Sequence, residues 1–233
     1  MKLLIALATY NERENLPRLI EAILQIAPDA SILVIDDNSP DGTADWVRAR
    51  QENEPRLKLL LRPEKRGLGT AVIAAMKYAL ERNYDLLLNM DADFSHPPES
   101  IPDLLAVADR FDVVIGSRYI QGGGIVGWPF HRRLMSRCVN LYARLLLGLR
   151  TKDNSGSFRC YRIEALRQLD LDAVRSKGYS FFEEILFRLK KVRATFTEVP
   201  ITFVDRRFGS SKINKKEAIT ALWLLLLLGI RGK

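Results

Sequence analysis

The sequence predicts an α/β domain built on a mostly parallel sheet. Three observations carry the prediction. Nearly continuous apolar runs recur through the first half, helix-period segments lie between them, and the runs end in charged or glycine-rich turns. Strands buried on both faces read as unbroken apolar runs, and strands alternating with helices imply parallel pairing through right-handed crossovers.

The predicted strands are "LLIALATY" (3–10), "SILVIDD" (31–37), "LKLLLRP" (57–63), "YDLLLNMDAD" (84–93) and "FDVVIGSRY" (111–119). The segment 15–27 puts Leu16, Leu19, Ile20, Ile23 and Leu24 on one helical face. The next helix, 43–51, begins with Thr43 as its expected N-cap. Helices over 69–81 and 101–110 follow, the latter entered through Pro97 and Pro98. Beyond these, "GGGIVGWP" (122–129) reads as a loop. A basic helical segment comes next, "FHRRLMSRCVNLYARLLLGL", and then a loop "TKDNSGSFRCY". The helix "FFEEILFRLKKV", the strand "TFTEVPITFVD" and the basic loop "RRFGSSKINKK" complete the chain up to the apolar "ALWLLLLLGI". There is no internal repeat and no long linker, which points to one domain.

The final run, Ala218 to Ile230, would span roughly 20 Å as a helix, short of a bilayer core of about 30 Å. Two placements fit it. It lies in a membrane interface, with Arg206, Arg207, Lys212, Lys215 and Lys216 upstream facing lipid phosphates, or it packs on the sheet. The chain of 233 residues is 47% apolar and 27% charged, as a globular protein with a real core should be. Its net charge of +8 suggests an anionic partner. The two cysteines, Cys138 and Cys160, have no metal-ligand spacing and read as free thiols. No signal peptide is evident at the N-terminus.

Ligands of such sheets bind beyond the carboxyl ends of the strands. Two strand ends here carry paired carboxylates, Asp36–Asp37 and Asp91–Asp93. An Asp pair at a strand end is often only a turn. Two in one sheet would repel unless compensated, and a divalent cation shared with phosphate oxygens would compensate them. Arg62, Lys65, Arg66 and Arg118, at neighbouring strand ends, suit the phosphate. "GLGTAV" from Gly67 is not a dinucleotide fingerprint: Val72 stands at the third glycine's position, and the stretch follows the third strand. A tight turn is its expected use.

Eight stretches occur in order across nearly the whole chain: "TYNERENL", "DDNSPDGT", "RGLGTA", "MDADFSHPPE", "GSRY", "NSGSFRCYR", "GYSFFEE" and "VPITFVDRRFGSSK". Together they resemble the polyprenyl (dolichyl)-phosphate mannose synthases, family 2 glycosyltransferases of GT-A fold. The resemblance implies a Rossmann-like, mostly parallel sheet flanked by helices, forming a catalytic domain over 1–216. Residues 217–233 are then an apolar C-terminal helix, interfacial or packed on the domain. It implies inverting transfer of mannose from GDP-mannose to a polyprenyl phosphate, with Mg²⁺ or Mn²⁺ as cofactor. A relative using another donor, such as UDP-glucose, is the alternative.

Residue by residue, the resemblance assigns the nucleoside to Tyr10, Glu12 and Asp37. The wider nucleotide-sugar set adds Ala8, Ile35, Asp91, Ala92, Asp93, Arg206 and Lys212. Metal ligation falls to Asp91 and Asp93, and lipid-phosphate binding to Arg118, Arg132 and Ser136. Asp93, Arg118 and Arg206 are the implied catalytic groups. Ser95 stands where some relatives have a ligating glutamine, Ala8 replaces a proline, and Phe182 replaces a glutamine; Glu184 matches the family's glutamate. The implied partners are the nucleotide sugar, the lipid phosphate, a membrane surface on its cytoplasmic side and small membrane subunits, with no nucleic acid.

A phosphate acceptor needs no general base, because its second pKa is about 6. The scarcity of histidine, only His96 and His131, is then no obstacle; both are expected to be supporting residues. A nucleotidyltransferase would want a glycine-rich loop after the first strand, and "TYNERE" has no glycine. A non-catalytic adaptor would lack a use for the acidic strand ends, and aromatic-plus-basic patches for base stacking are absent.

Overall fold

The computed structural model describes residues 1–176, 178, 180–205 and 215–231. Its central sheet holds seven strands in the order β3-β2-β1-β4-β7-β5-β8. The first four are β1 (Leu3–Thr9), β2 (Ser31–Asp36), β3 (Leu57–Leu61) and β4 (Leu86–Asp91), followed by β5 (Val113–Ser117). All five lie where the apolar runs predict. β1, β2, β3 and β4 pair in parallel, as do β5 and β8 (Phe196–Pro200).

The alternation of β1 feeds two cores. Leu4 and Ala6 enter one apolar cluster, and Leu3, Ile5 and Leu7 enter the other. Helix α1 (Leu16–Ile26) covers the second with Leu16, Leu19, Ile20 and Ile23. Helix α2 (Thr43–Gln51) adds Val47, and α4 (Ile101–Leu105) adds Ile101 and Leu104. The opposite face is covered by α3 (Leu68–Glu81), α6 (Ile163–Arg167) and α7 (Phe181–Lys191). Helix α5 (Phe130–Leu147) joins it through Ala143 and Leu147, and α8 (Lys215–Arg231) through Leu225. Helices on both faces of a mostly parallel sheet make three layers.

Five local expectations are corrected. Thr43 is not the cap of α2: Gly42, at φ 81°, takes that place. The Thr43 hydroxyl instead donates to Asp41 Oδ1 at 2.6 Å and accepts from the Glu12 amide at 3.2 Å. The helix expected over 101–110 stops at Leu105. The loop 122–129 contains a short strand, β6 (Gly124–Val126). The expected strand 195–205 divides at Ile201, leaving β8 in the main sheet and β9 (Thr202–Val204) paired with β6 in a second, two-stranded sheet.

The fifth correction shapes the site. The end of "TKDNSGSFRCY" forms β7 (Arg159–Arg162), which runs antiparallel between β4 and β5. Because β7 alone is reversed, its amino end meets the carboxyl ends of its neighbours. Residues 151–158 are thereby delivered to the ligand edge. Among the described residues, no helix is long and apolar enough to cross a membrane. Both cysteines are free thiols; burial pushes that of Cys160 up to about 12.

Candidate active site

The register across β1 sets the two acidic ends side by side. Thr9 pairs with Asp36 on one flank, and Ala8 pairs with both Ile35 and Asp91. Ala8, Ile35 and Ala92 thus form the floor between the acidic ends, with Ile35 and Ala92 buried.

The β2 end is satisfied from within. Asp36 is fully buried and accepts from Thr9 Oγ1 at 2.8 Å, Ser39 Oγ at 2.6 Å and the Ser39 amide at 2.8 Å. Asp37 accepts from Arg62 Nε at 2.6 Å, and Arg62 Nη1 reaches Thr70 Oγ1 at 2.7 Å. Thr70 in turn donates to the carbonyl of Gly67, whose φ of 95° forms the expected tight turn. Lys65 Nζ lies 4.1 Å from the centre of the Tyr10 ring, and Glu12 accepts from Asn15 Nδ2 at 2.9 Å. A flat aromatic face beside paired acidic and basic groups suits a nucleoside.

The β4 end is built differently. Asp91 Oδ1 accepts from Ser157 Oγ at 2.8 Å, a donor delivered by the β7 approach. Asp93 Oδ1 accepts from the Ser95 amide at 3.1 Å and its hydroxyl at 2.6 Å. Ser95 is therefore an organiser of Asp93. Phe94, at φ 61°, takes the left-handed conformation that closes this turn. His96 Nδ1 accepts from the Asp91 amide at 3.0 Å, which leaves the proton on Nε2 and the ring neutral. Burial lowers the His96 pKa, against the opposing pull of Asp91 and Asp93. His96 is a supporting residue, as expected.

Hard oxygen donors on a shared strand end fit Mg²⁺ or Mn²⁺. Among the described residues no three His, Cys, Asp or Glu side chains converge on one point. A cation here would take its remaining ligands from substrate phosphate and water, as Mg²⁺ commonly does.

Arg118 follows β5. It donates through its amide, Nε and Nη2 to Asp153, at 2.9, 2.7 and 2.7 Å, and through Nη2 to Ser155 at 3.1 Å. The side chains are 8% and 0% exposed. Burial works against the Arg118 charge, but Asp153 outweighs it and raises the pKa above its usual value. Burial likewise opposes the Asp153 charge, and Arg118 outweighs it, so the carboxyl is held below its ordinary range. Two nitrogens of the guanidinium, Nε and Nη2, are thus committed to the protein, and its carbon lies 5.2 Å from the Tyr119 ring and 5.6 Å from the Trp128 and Phe203 rings.

An aromatic chain links the β4 end to α5. His96 stacks on Phe158 and meets the edge of Phe203, Phe203 meets Trp128 at 5.3 Å, and Arg132 lies 4.0 Å over Trp128. Arg132 donates to Asp205, and Ser136, one turn along α5, receives the Tyr119 hydroxyl at 2.6 Å. Glu184 is buried and holds Ser176 and Arg188, so it anchors the approach to α7. Arg206 and Lys212 lie outside the described residues.

Sequence reasoning passed over Asp153, Ser157, Arg159, Trp128, Glu183 and Asp205. Arg159 is fully buried and donates to the carbonyls of Phe182 and Asn154, tying α7 to the loop that carries Asp153. Burial pushes the Glu183 carboxyl up to about 7, with Arg159 opposing. A cavity of about 740 Å³ opens between β3, α3 and residues 171–174; it includes Arg62 and Thr70 but none of Asp91, Asp93, Arg118 or Arg132.

The family model described as glycosyl transferase family 2 matches residues 4–170. The chain is 45% identical over 214 residues to an undecaprenyl-phosphate mannosyltransferase of Micrococcus luteus, covering 92% of this chain and 88% of that protein. It is 40% identical over 232 residues to a polyprenol monophosphomannose synthase of Mycolicibacterium smegmatis, covering 99% and 88%. Among solved structures, glucosyl-3-phosphoglycerate synthase from Mycobacterium tuberculosis with Mn²⁺, UDP and its product superposes with a TM-score of 0.65 at 15% identity, covering 99% and 79%. A mannosyltransferase from Pyrobaculum calidifontis in complex with GDP-Man and Mn²⁺ gives 0.65 at 17% identity, covering 99% and 64%.

Proposed function

The chain belongs to glycosyl transferase family 2, and on that premise we propose that it moves mannose from GDP-mannose to a polyprenyl (dolichyl) phosphate with inversion at the anomeric carbon. The observation that carries this reading is α5. One helix bears Arg132 and Ser136 near its start and an exposed apolar face made by Phe130, Leu134, Met135, Leu141 and Leu145. A phosphate on a long hydrocarbon needs both. Leu222, Trp223 and Ile230 of α8 extend the exposed apolar set, with Arg133, Arg137 and Arg144 exposed beside it. Apolar side chains interleaved with arginines suit a peripheral seat on an anionic membrane surface; the cytoplasmic leaflet is the one we propose. Residues 217–233 then serve as an interfacial helix packed on a catalytic domain of residues 1–216.

In this reading the nucleoside lies against Tyr10, Glu12 and Asp37, near the backbone of Ala8, Ile35 and Ala92. Asp91 and Asp93 would hold Mg²⁺ or Mn²⁺. A bound divalent cation supplies charge neutralisation for the departing diphosphate. Ser157 and Ser95 orient the two carboxylates, and the His96 ring holds the Asp91 amide, before substrate arrives, which lowers reorganisation in the reaction. Arg118, held rigid by Asp153, is assigned to phosphate oxygen. Arg132 and Ser136 seat the acceptor phosphate, and Arg206 and Lys212 are assigned to the donor diphosphate. The acceptor oxygen is already ionised near neutral pH, so positioning replaces proton abstraction.

The test is transfer by the purified chain in detergent with polyprenyl phosphate, Mn²⁺ or Mg²⁺, and a panel of radiolabelled sugar nucleotides. Labelled glycolipid from GDP-mannose is expected. Product from UDP-glucose and none from GDP-mannose would overturn the donor assignment.

A further inference from the structure

Arg132 has two partners of different character. Its guanidinium lies 4.0 Å over the Trp128 ring, and its Nη1 donates to both carboxylate oxygens of Asp205 at 3.1 and 3.0 Å. An anion that approaches Arg132 therefore meets a carboxylate already in place. The backbone builds this contact. The Asp205 amide donates to the carbonyl of Val126 at 3.0 Å, at the end of the β6–β9 pair. Gly127, at φ 89°, leaves room for it, since a Cβ there would come within 2.9 Å of Asp205 Cβ. The two charged side chains are 26% and 29% exposed, so solvent and ligand can reach the pair. The buried Arg118–Asp153 pair, at 8% and 0%, is not exchangeable in this way.

We propose that Asp205 competes with the acceptor phosphate for Arg132 and so drives product release. This rests on the reading of Arg132 as the seat of the acceptor phosphate. The acceptor is a phosphate monoester, largely a dianion near neutral pH because its second pKa is about 6. In the reaction its oxygen forms a bond to the anomeric carbon. The bond from that carbon to the diphosphate oxygen breaks, and the electron pair leaves with the nucleoside diphosphate. One negative charge passes from acceptor to leaving group, and no proton is needed. The product is a phosphodiester with a single negative charge. A dianion displaces a carboxylate from a guanidinium; a monoanion competes with it on far poorer terms. Asp205 yields Arg132 to the acceptor and reclaims it from the product, while the Trp128 face keeps the guanidinium in position.

Asp205→Asn keeps the shape and removes the charge. The probes are geranyl phosphate and the mannosyl phosphodiester of the same prenol, titrated calorimetrically into the 233-residue chain, alongside steady-state kinetics. The variant is expected to bind the diester about fivefold more tightly, the scale of a partly exposed ion pair. Its acceptor KM and its kcat should both fall, with stronger inhibition by product. A purely structural role would instead raise KM and lower the melting temperature together, which overturns the proposal. Arg132→Ala separates the two layers of the argument. If it leaves geranyl phosphate binding unchanged, the seat itself is misplaced. If it abolishes that binding while Asp205→Asn leaves diester affinity and product inhibition unchanged, the seat stands and the competition is refuted.

Discussion

The ends of β2 and β4 flank the end of β1, and each carries two aspartates. At the β2 end the protein answers the charge itself: three hydrogen bonds reach Asp36, and the Arg62 guanidinium neutralises Asp37. At the β4 end Asp91 is steadied by a serine hydroxyl beside a neutral histidine, and Asp93 accepts from Ser95. Asp36 is thereby part of the framework and Asp37 is ion-paired with Arg62, while in the proposed reading Asp37 faces the nucleoside and the β4 pair faces a cation.

The largest test of this contrast exchanges one oxygen for nitrogen at each end. Asp93→Asn is expected to cut kcat by about a thousandfold or more, the scale of losing a charged group that acts in the transition state, with the melting temperature nearly unchanged. Asp36→Asn should do the reverse, losing about 1–3 kcal/mol of stability from broken buried hydrogen bonds while the folded fraction still turns over. Calorimetric melts together with single-turnover rates read both, and equal stability losses at the two ends would collapse the distinction.

Arg62→Ala comes next. It strands Asp37, which is only 8% exposed at its side chain, and a buried charge deprived of its partner costs about 3 kcal/mol. Urea unfolding measures the loss. A raised KM for the sugar nucleotide with unchanged acceptor KM would confirm that Asp37 faces the donor.

Glu183 sharpens the comparison from a third side. It is a buried carboxyl whose Oε2 has no hydrogen-bond partner among the described residues, with Arg159, Asp153 and Arg118 as charged groups around it. Burial raises it to about 7, so the folded chain keeps a proton that the unfolded chain has lost above about pH 4.3. The folded state binds more protons through that window, and the stability from this group falls as pH rises to about 7. Glu183→Gln removes the loss. The variant should match wild type near pH 4 and exceed it by about 3 kcal/mol at pH 8, given 1.36 kcal/mol per pKa unit. Equal stability at both pH values would refute the buried-acid assignment.

The smallest expected effect is at Ser157. Replacing it with Ala frees Asp91 to rotate, and loss of such an outer partner weakens metal affinity about tenfold. Mn²⁺ titration followed by paramagnetic relaxation of water reads this directly. An unchanged affinity would show that the strand end alone fixes Asp91.

Much of the fold was legible because its cause is local. Strands buried on both faces need unbroken apolar runs, so β1 to β5 were visible, and α1 showed its buried face at helical spacing. Asp91 and Asp93 were legible for the same reason: charges at the end of an apolar run stand out. The motifs from "TYNE" to "SSK" added the family, and the matches to characterised relatives agree with it. Thr43, by contrast, looked like a cap because capping residues are common before helices, yet its hydroxyl was claimed by Asp41 and Glu12, neither inside the helix.

The sequence by itself determined the sheet-and-helix framework, the acidic strand ends and the family. Only the tertiary structure decided which carboxylates are cancelled and by whom. The reversal of β7 brings Ser157 to Asp91 across 66 positions and Asp153 to Arg118 across 35, and the β6–β9 pair brings Asp205 to Arg132 across 73. A charge's partner is set by distance in space, and no periodicity along the chain encodes a contact that the fold creates by bringing distant segments to one edge.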